Sequence, residues 1–290
     1  MEIKQIIDKI SIILPDKIFL KLKYRYLIGE WPNLSKPKTF NEKLQWLKLH
    51  DRKMDYITYV DKYAVRKHVE EKIGKEHLIP LLSVYDSVDS ICWDDLPNKF
   101  VLKCTHGSKS NIICEDKTKL NIEETKQKLS SWMKRNWFWY GREWPYKNVE
   151  PRIICEKYMV DESGTELKDY KLMCFNGEVK CIFVCHNRSG KLNIDIYDPS
   201  WELMPFGRPN NPRSGRKINK PTNFNKMIQF AEEFSEGITF LRVDFYEANG
   251  QVYFGELTLH PASGFEKFEP ESYDNLLGSW IELPIDYKSK

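Results

Sequence analysis

The chain has no apolar run of membrane-spanning length and no signal-peptide pattern, so the sequence predicts neither a spanning helix nor an exported protein. It has almost no surplus of charge. Its 45 Lys and Arg stand against 42 Asp and Glu, a net +3, which leaves no electrostatic footprint for a nucleic-acid partner. No Cys-x-x-Cys pair occurs among the seven cysteines, Cys92, Cys104, Cys114, Cys155, Cys174, Cys181 and Cys185. The odd count and the apolar strand patterns around several of them predict reduced, buried thiols in a cytosolic protein. Cys181 and Cys185 fit one strand face, but two thiols are too few ligands for a metal site. Also missing are a Walker A pattern, the protein-kinase signature set, any Asp-x-Asp pair, an internal repeat and a low-complexity tract.

What is present fits a soluble globular protein of one large domain or two modest ones, since 290 residues allow either. Residues 1–58 read as helical. Ile3, Ile6, Ile7, Ile10, Ile13 and Leu14 form one stripe, followed by a basic stretch from Lys17 to Arg25. That helix either docks on a core or lies on an anionic membrane surface. A proline-containing break follows, and Thr39 with Glu42 has capping-box spacing before a helix over 43–50. A helix is expected over 61–73, strands over 78–85, 100–104 and 112–114, a helix over 122–139 and a strand over 152–159. Residues 169–185 read as a hairpin about Asn176-Gly177, the strongest short hairpin signal. A strand near 192–197, an irregular and mobile surface loop over 201–222 and a helix over 224–234 complete the pass. Hairpins flanked by helices indicate the α+β class. The dense aromatic group from Trp132 to Tyr146 reads mostly as core.

The segment 241–264 carries the most chemistry. Leu241, Val243 and Phe245 alternate with Arg242 and Asp244, and beyond a turn Glu256 and Thr258 alternate with Gly255 and Leu257. Two acids and an arginine on one strand surface suit a divalent cation holding phosphates; an exposed face whose acids pair with lysines is the alternative. The register decides which acids meet. A two-residue Asn249-Gly250 turn puts Asp244 opposite Gly255 and sends Glu256 to the other face. A three-residue loop over 248–250 with Gly250 in a bulge puts Asp244 opposite Phe254, with Glu256 as its diagonal neighbour, and this register is the expectation.

Other signals are weaker singly. Lys103 ends the apolar run Phe100-Val-Leu, so its ammonium needs an anion. The loop that follows, with Gly107 among small polar residues, offers backbone N–H groups to phosphate oxygens, and Lys109 could cover them. Glu156 ends another apolar strand, either beside a nucleoside or as a salt-bridge partner. Asp169 and Lys171 share a strand face. Asp61 could cap a helix, leaving Lys62 in a site or in water, and His260 could touch a ligand or serve as a structural hydrogen-bonder.

In this order the segments resemble the ATP-grasp fold and, specifically, the TupA-like ATP-grasp family of bacterial cell-surface polysaccharide loci. The resemblance runs through Lys38-Thr-Phe-Asn-Glu-Lys43, Asp61-Lys-Tyr63, Leu96-Pro-Asn-Lys-Phe-Val-Leu-Lys103, His106-Gly-Ser108 and Pro151-Arg-Ile-Ile-Cys-Glu156. It continues through Asp169-Tyr-Lys-Leu-Met-Cys-Phe-Asn-Gly177, Arg242-Val-Asp-Phe-Tyr246 and Phe254-Gly-Glu-Leu-Thr258. It implies an α+β fold of two lobes with antiparallel sheets and flanking helices that hold ATP, after a helical amino-terminal region. The expected segments are 1–58, helical; 59–157, the first lobe; and 158–290, the second lobe with the metal-binding hairpin.

By motif matching, the resemblance makes Lys62 and Lys103 the phosphate lysines and His106, Gly107 and Ser108 the loop over the phosphates. It puts Glu156 beside the adenosine, Lys171 and Arg242 on phosphate or the reacting carboxylate, and Asp244 and Glu256 on Mg2+. Thr258 stands where better-known ATP-grasp enzymes have Asn; its hydroxyl can still ligate magnesium or hold a water, and His260 is the other candidate. The amino-terminal region also lacks the nucleotide-fold-like domain that many relatives carry.

The implied activity is an ATP- and Mg2+-dependent carboxylate–amine ligase working through an acyl phosphate. Its implied substrates are a uronic acid of a surface polysaccharide, or its precursor, and an amine donor. A cytoplasmic location is expected, with contact to the inner face of the membrane as the alternative role of the amino-terminal helix. The competing readings are a nucleotide-sugar glycosyltransferase, against which the lack of Asp-x-Asp counts, a phosphotransferase acting on a hydroxyl, and a degenerate binding scaffold.

Overall fold

The computed structural model describes residues 13–164, 167–187 and 192–284. The amino-terminal stripe expected over residues 3–14 lies outside them up to residue 12. The strands are β1 (Leu81–Tyr85), β2 (Phe100–Cys104), β3 (Asn111–Cys114), β4 (Ile153–Lys157), β5 (Asp169–Phe175), β6 (Glu178–His186), β7 (Asn193–Tyr197), β8 (Phe240–Ala248) and β9 (Gln251–Thr258). The helices are α1 (Asp16–Ile28), α2 (Phe40–His50), α3 (Asp55–Val60), α4 (Val65–Ile73), α5 (Ile122–Met133), α6 (Phe138–Gly141), α7 (Phe224–Ser235) and α8 (Ser272–Ser279). The strands form two antiparallel sheets, ordered β1-β4-β2-β3 and β7-β6-β5-β8-β9, so the fold is α+β with helices at its amino-terminal side.

The chain divides into two compact units, Lys53–Val160 and Met1–Arg52 with Asp161–Lys290. This grouping differs from three consecutive segments because the residues before 53 belong with the second sheet. Phe40, Leu44 and Leu47 of α2 are buried in one core with Met173, Phe175, Phe183 and Phe240 of that sheet.

In the 53–160 unit, β2 alternates as the pleat requires. Phe100, Leu102 and Cys104 are buried with Ile153, Cys155 and Leu129 of α5, while Val101, Lys103 and Glu156 occupy the other face. Several expected elements are shorter than their sequence patterns: the helix expected over 61–73 begins at Val65 and the strand expected over 152–159 is Ile153–Lys157. The first strand starts only at Leu81, after a short 3-10 turn at Lys75–His77, and Pro80 contributes just its carbonyl, to Lys157 N–H. The helix expected over 122–139 stops at Met133. Asn136 Oδ1 accepts from Phe138 N–H at 3.0 Å, a local bond that competes with the helical ladder, and α6 restarts beyond it.

In the other unit α2 opens with the full Thr39–Glu42 capping box. Its Phe40 meets Phe175, Phe240 and Phe268 with ring centroids 6.0, 5.0 and 6.1 Å away. The opposite face of the sheet is covered by Phe224, Met227, Phe230 and Phe234 of α7, with Phe230 on Phe245 and Phe234 on Phe254. Asn176 and Gly177 both take positive φ, 51° and 89°, the two-residue turn their identities demand between β5 and β6. The segment 201–222 is irregular, yet it is not a loose surface loop, because Trp201 and Phe206 are buried. Six of the seven cysteines are buried free thiols; Cys92 is exposed, contrary to a fully buried set.

The hairpin of β8 and β9 corrects the expected register. Ala248 pairs with Gln251 across a two-residue Asn249-Gly250 turn, with φ of 52° and 69°. The three-residue loop is therefore absent. The pairing then shifts between Asp244 and Phe245, so that Phe245 faces Phe254 and Asp244 faces Glu256, leaving Gly255 as the extra residue of a bulge. The bulge sits four residues from the turn rather than in it, and it returns Glu256 to the face of Asp244. Only glycine fits there easily, since a Cβ would lie 3.0 Å from the Asp244 carbonyl oxygen and 3.2 Å from Asp244 Cβ. Gly255→Val is expected to destabilise the protein by about 1–3 kcal/mol, read as a lower urea midpoint; an unchanged midpoint would show that the bulge tolerates a side chain.

Candidate active site

Two clusters of charged side chains stand out, one in each unit. In the 53–160 unit, Lys103 meets the anion its position calls for. Its Nζ lies 2.6 Å from Glu156 Oε2, and Arg66 Nη1 donates to Glu156 Oε1 at 2.9 Å. Arg66 Nη2 also donates to the Ile79 carbonyl at 2.8 Å, and burial pushes its pKa down. Glu156 is thus a buried carboxylate bridging two cations on the side of β4 away from the core. Pattern reading of 61–67 gave Arg66 no role; a guanidinium one helical turn from Lys62 carries no signal until β4 is seen beside it.

The neighbouring loop joins β2 to β3. Lys62 Nζ donates to the Gly107 carbonyl at 2.5 Å, and Lys62 N–H to the Thr105 carbonyl at 3.2 Å, so the lysine is clasped to this loop. Asp61 Oδ1 accepts from Tyr63 N–H at 2.8 Å, which fixes the chain entering α4. His106 points inward: it is buried, with Nε2 3.1 Å from the Trp132 carbonyl, and burial lowers its pKa. Gly107 is buried against Trp137, 3.4 Å from where a Cβ would stand, while Ser108 is half-buried and Lys109 exposed. The sequence-predicted residues Lys62, His106, Gly107 and Ser108 therefore meet in one loop, and Lys103 and Glu156 in one ion pair.

In the other unit the cluster lies on the β5-β8-β9 surface. Cross-strand pairs put Lys171 beside Asp244 and Asp244 beside Glu256, with Arg242 beside Thr258. Arg242 Nε and Nη2 donate to the two oxygens of Asp244 at 2.6 and 2.8 Å, and Nη2 donates to Glu256 Oε1 at 2.5 Å. Lys171 Nζ pairs with Asp244 and lies 2.7 Å from Asp169 Oδ2. Thr258 Oγ1 donates to Glu256 Oε1 at 3.3 Å.

Three carboxylates thus share two cations. Burial, with Asp169 and Glu256 nearby, pushes the Asp244 carboxyl up to about 6 against the pull of Arg242 and Lys171. The acids hold both cations firmly protonated despite burial, which alone would lower them. Among the described residues no three His, Cys, Asp or Glu side chains gather as a metal site; Arg242 stands between Asp244 and Glu256.

One neighbour, Arg208, was not legible in the sequence, and the role of His260 was left open there. Arg208, from the irregular 201–222 segment, pairs with Glu266 and is pushed down to about 10 by burial, with the Arg242 charge adding to the fall. His260 is buried and held neutral by burial and the charge of Lys48, so it serves the interior. The turn after it, with Ala262 and Ser263 at φ of 46° and 56°, is tied to α2. Lys48 Nζ and Gln45 Nε2 donate to the Ser263 carbonyl at 2.6 and 3.1 Å.

A family model described as TupA-like ATPgrasp matches residues 42–282. The chain belongs to that family. The clusters above fall inside the matched span. No curated protein matches it. Among solved structures it is similar to a D-alanine–D-alanine ligase from Bacillus anthracis, at TM-score 0.41 and 12% identity over 70% of this chain and 57% of that one. A D-alanine–D-alanine ligase from Helicobacter pylori gives 0.39 and 13%, over 83% and 69%. A phosphoribosylamine–glycine ligase from Thermotoga maritima gives 0.39 and 13%, over 72% and 51%.

The Glu156 bridge has a measurable weight. Glu156→Ala leaves two mostly buried cations without their shared anion and is expected to cost about 3 kcal/mol, whereas Glu71→Ala, which breaks an exposed pair with Lys67, is expected to cost under about 0.5 kcal/mol. Urea unfolding of both variants checks this; similar losses would contradict it.

Proposed function

We propose that this ATP-grasp protein is an ATP- and Mg2+-dependent carboxylate–amine ligase that works through an acyl phosphate. We further propose that its carboxylate belongs to a uronic acid of a cell-surface polysaccharide or its precursor. The observation that carries the reading is the joined set of Lys171, Arg242, Asp244 and Glu256 on one sheet surface, in a chain of this family.

A carboxylate resists attack by an amine at neutral pH. In the proposed reaction a carboxylate oxygen attacks the γ-phosphorus of ATP, the bond to the β–γ bridging oxygen breaks and ADP leaves. The amine then attacks the acyl carbon, phosphate departs, the amine gives up a proton and the amide remains. Nothing in this needs a protein nucleophile. It needs cations placed where charge develops.

In this reading Lys171 and Arg242 hold the transferring phosphoryl group or the carboxylate. Lys62, Lys103 and the 106–108 loop contact the nucleotide phosphates, and Glu156, tied to Arg66, orients the Lys103 ammonium beside the nucleoside. The donors at Asp244, Glu256 and Thr258 are hard oxygens on one surface, the chemistry magnesium prefers. Bound there, the ion would neutralise phosphate charge, and Arg242 would release one of its acids to it. A peripheral contact with an anionic membrane is a further proposal. It would use α1, where Ile18, Leu22 and Tyr26 are exposed beside Lys17 and Lys21; co-sedimentation with anionic vesicles tests it.

Calorimetry is expected to show ATP binding in the presence of Mg2+, and hydroxylamine to trap an acyl hydroxamate when a uronic acid is added. ADP release with a stable phosphoester and no hydroxamate would favour phosphotransfer instead, and preference for a UDP-sugar over ATP would favour glycosyl transfer. Asp244→Ala with Glu256→Ala is expected to abolish turnover; retained activity removes the magnesium assignment.

The ion must also displace a proton wherever Asp244 is protonated. With that carboxyl near 6, Mg2+ affinity is expected to fall about tenfold between pH 7.5 and pH 5, the direction set by a raised acid. A flat profile over that interval would contradict it.

A further inference from the structure

A cavity of about 380 Å³ opens in the second unit, lined in part by Asp195, Tyr197, Trp201, Arg213, Arg216 and Lys217. It does not belong to the Lys171 cluster. Lys171 pairs across the sheet with Phe183, and Phe183 with Ile196, so these share a face. Asp195 and Tyr197 alternate with Ile196 and face the other way, toward α7, where Trp201 meets Phe224 at 4.8 Å.

The cavity is built rather than left over. Tyr197 and Trp201 stack with centroids 4.5 Å apart and planes 12° from parallel. That pair holds Ile218 by both of its backbone groups: Trp201 Nε1 donates to the Ile218 carbonyl at 3.0 Å, and Ile218 N–H donates to Tyr197 Oη at 3.2 Å. Midway, Ser214 N–H donates at 3.2 Å to Asp195, which is buried and also lies 2.9 Å from His186 Nε2. The irregular segment is thus fastened at two residues, Ser214 and Ile218, around an aromatic floor.

The charges on the fastened loop have no internal use. No carboxylate among the described residues pairs with Arg213, Arg216 or Lys217, and all three are exposed at the cavity. Cations held close together and left unpaired select an anion, and guanidinium forks match carboxylate geometry. The exposed Glu202 at the same cavity can accept from hydroxyls, and the apolar edges of Trp201 and Leu203 suit the C–H face of a ring.

We propose that this cavity binds an acidic saccharide, a sugar unit carrying a carboxylate, at a place apart from the site of ligation. Arg213 and Arg216 engage the carboxylate, and Glu202 engages ring hydroxyls, while the buried Asp195 holds the loop in place. The inference stands on the cavity's lining and holds whether or not the protein is a ligase.

The test is calorimetric titration of the full chain with tetragalacturonate, with the neutral maltotetraose and with inorganic phosphate. Tetragalacturonate is expected to bind at least tenfold more tightly than either of the others. Arg213→Glu with Arg216→Glu is expected to weaken it at least tenfold while leaving ATP titration unchanged, and Arg213→Gln with Arg216→Gln gives the same comparison without charge reversal. Unaltered binding by both arginine double variants, equal affinity for phosphate or maltotetraose, or no binding of tetragalacturonate at millimolar concentration would each overturn the proposal.

Discussion

One unpaired residue decides what the five-stranded sheet can hold. Side chains on a strand alternate faces, so a slip of a single position would send Glu256 into the layer beneath α7, among Phe230 and Phe234. The bulge at Gly255 prevents that. It places Glu256 across from Asp244 and lets one guanidinium, that of Arg242, reach both acids. Lys171 and Asp169 then join from β5 by ordinary pairing. The same surface is dry and apolar farther along, where Met173, Phe175, Cys181 and Phe183 pack under α2. One sheet face is thus split between a core and a charged end, and the charged end tolerates burial because nearly every charge has an opposite within hydrogen-bonding distance.

Much of this was legible in the chain. The apolar alternation of 241–245, the Asn-Gly turn at 176–177 and the capping box at Thr39 are local chemistry, and each formed as its residues dictate. The fold class and the family could be read because many short segments agree in order, though each alone is weak. The register of β8 and β9 could not, because a turn and a bulge trade one residue between them. A bulge in the turn and a bulge at Gly255 both return the second acid to the same surface, and only the crowding about Gly255 separates them.

What stayed hidden was long-range. Arg66 acquires meaning from Glu156, ninety positions away, and Arg208 from Glu266 and Arg242 across an irregular segment with no periodic signal. Lys103 was legible as a question, since an ammonium inside an apolar run requires an anion. The answer came from β4. Residues such as Asn136, whose side chain ends α5 early, show how one polar group bonding to its own backbone overrides a favourable helical pattern.

The grip of α2 on the turn after β9 has a consequence for how the molecule is made. Lys48, Gln45 and Asn41 hold Ser263, Gly264 and Glu266 more than two hundred positions downstream, while the Lys53–Val160 unit is contiguous. During translation the contiguous unit can collapse as soon as it clears the ribosome. The first helices must wait, half-finished and with an apolar flank open to solvent or to a chaperone, until residues 263–266 arrive to close around them.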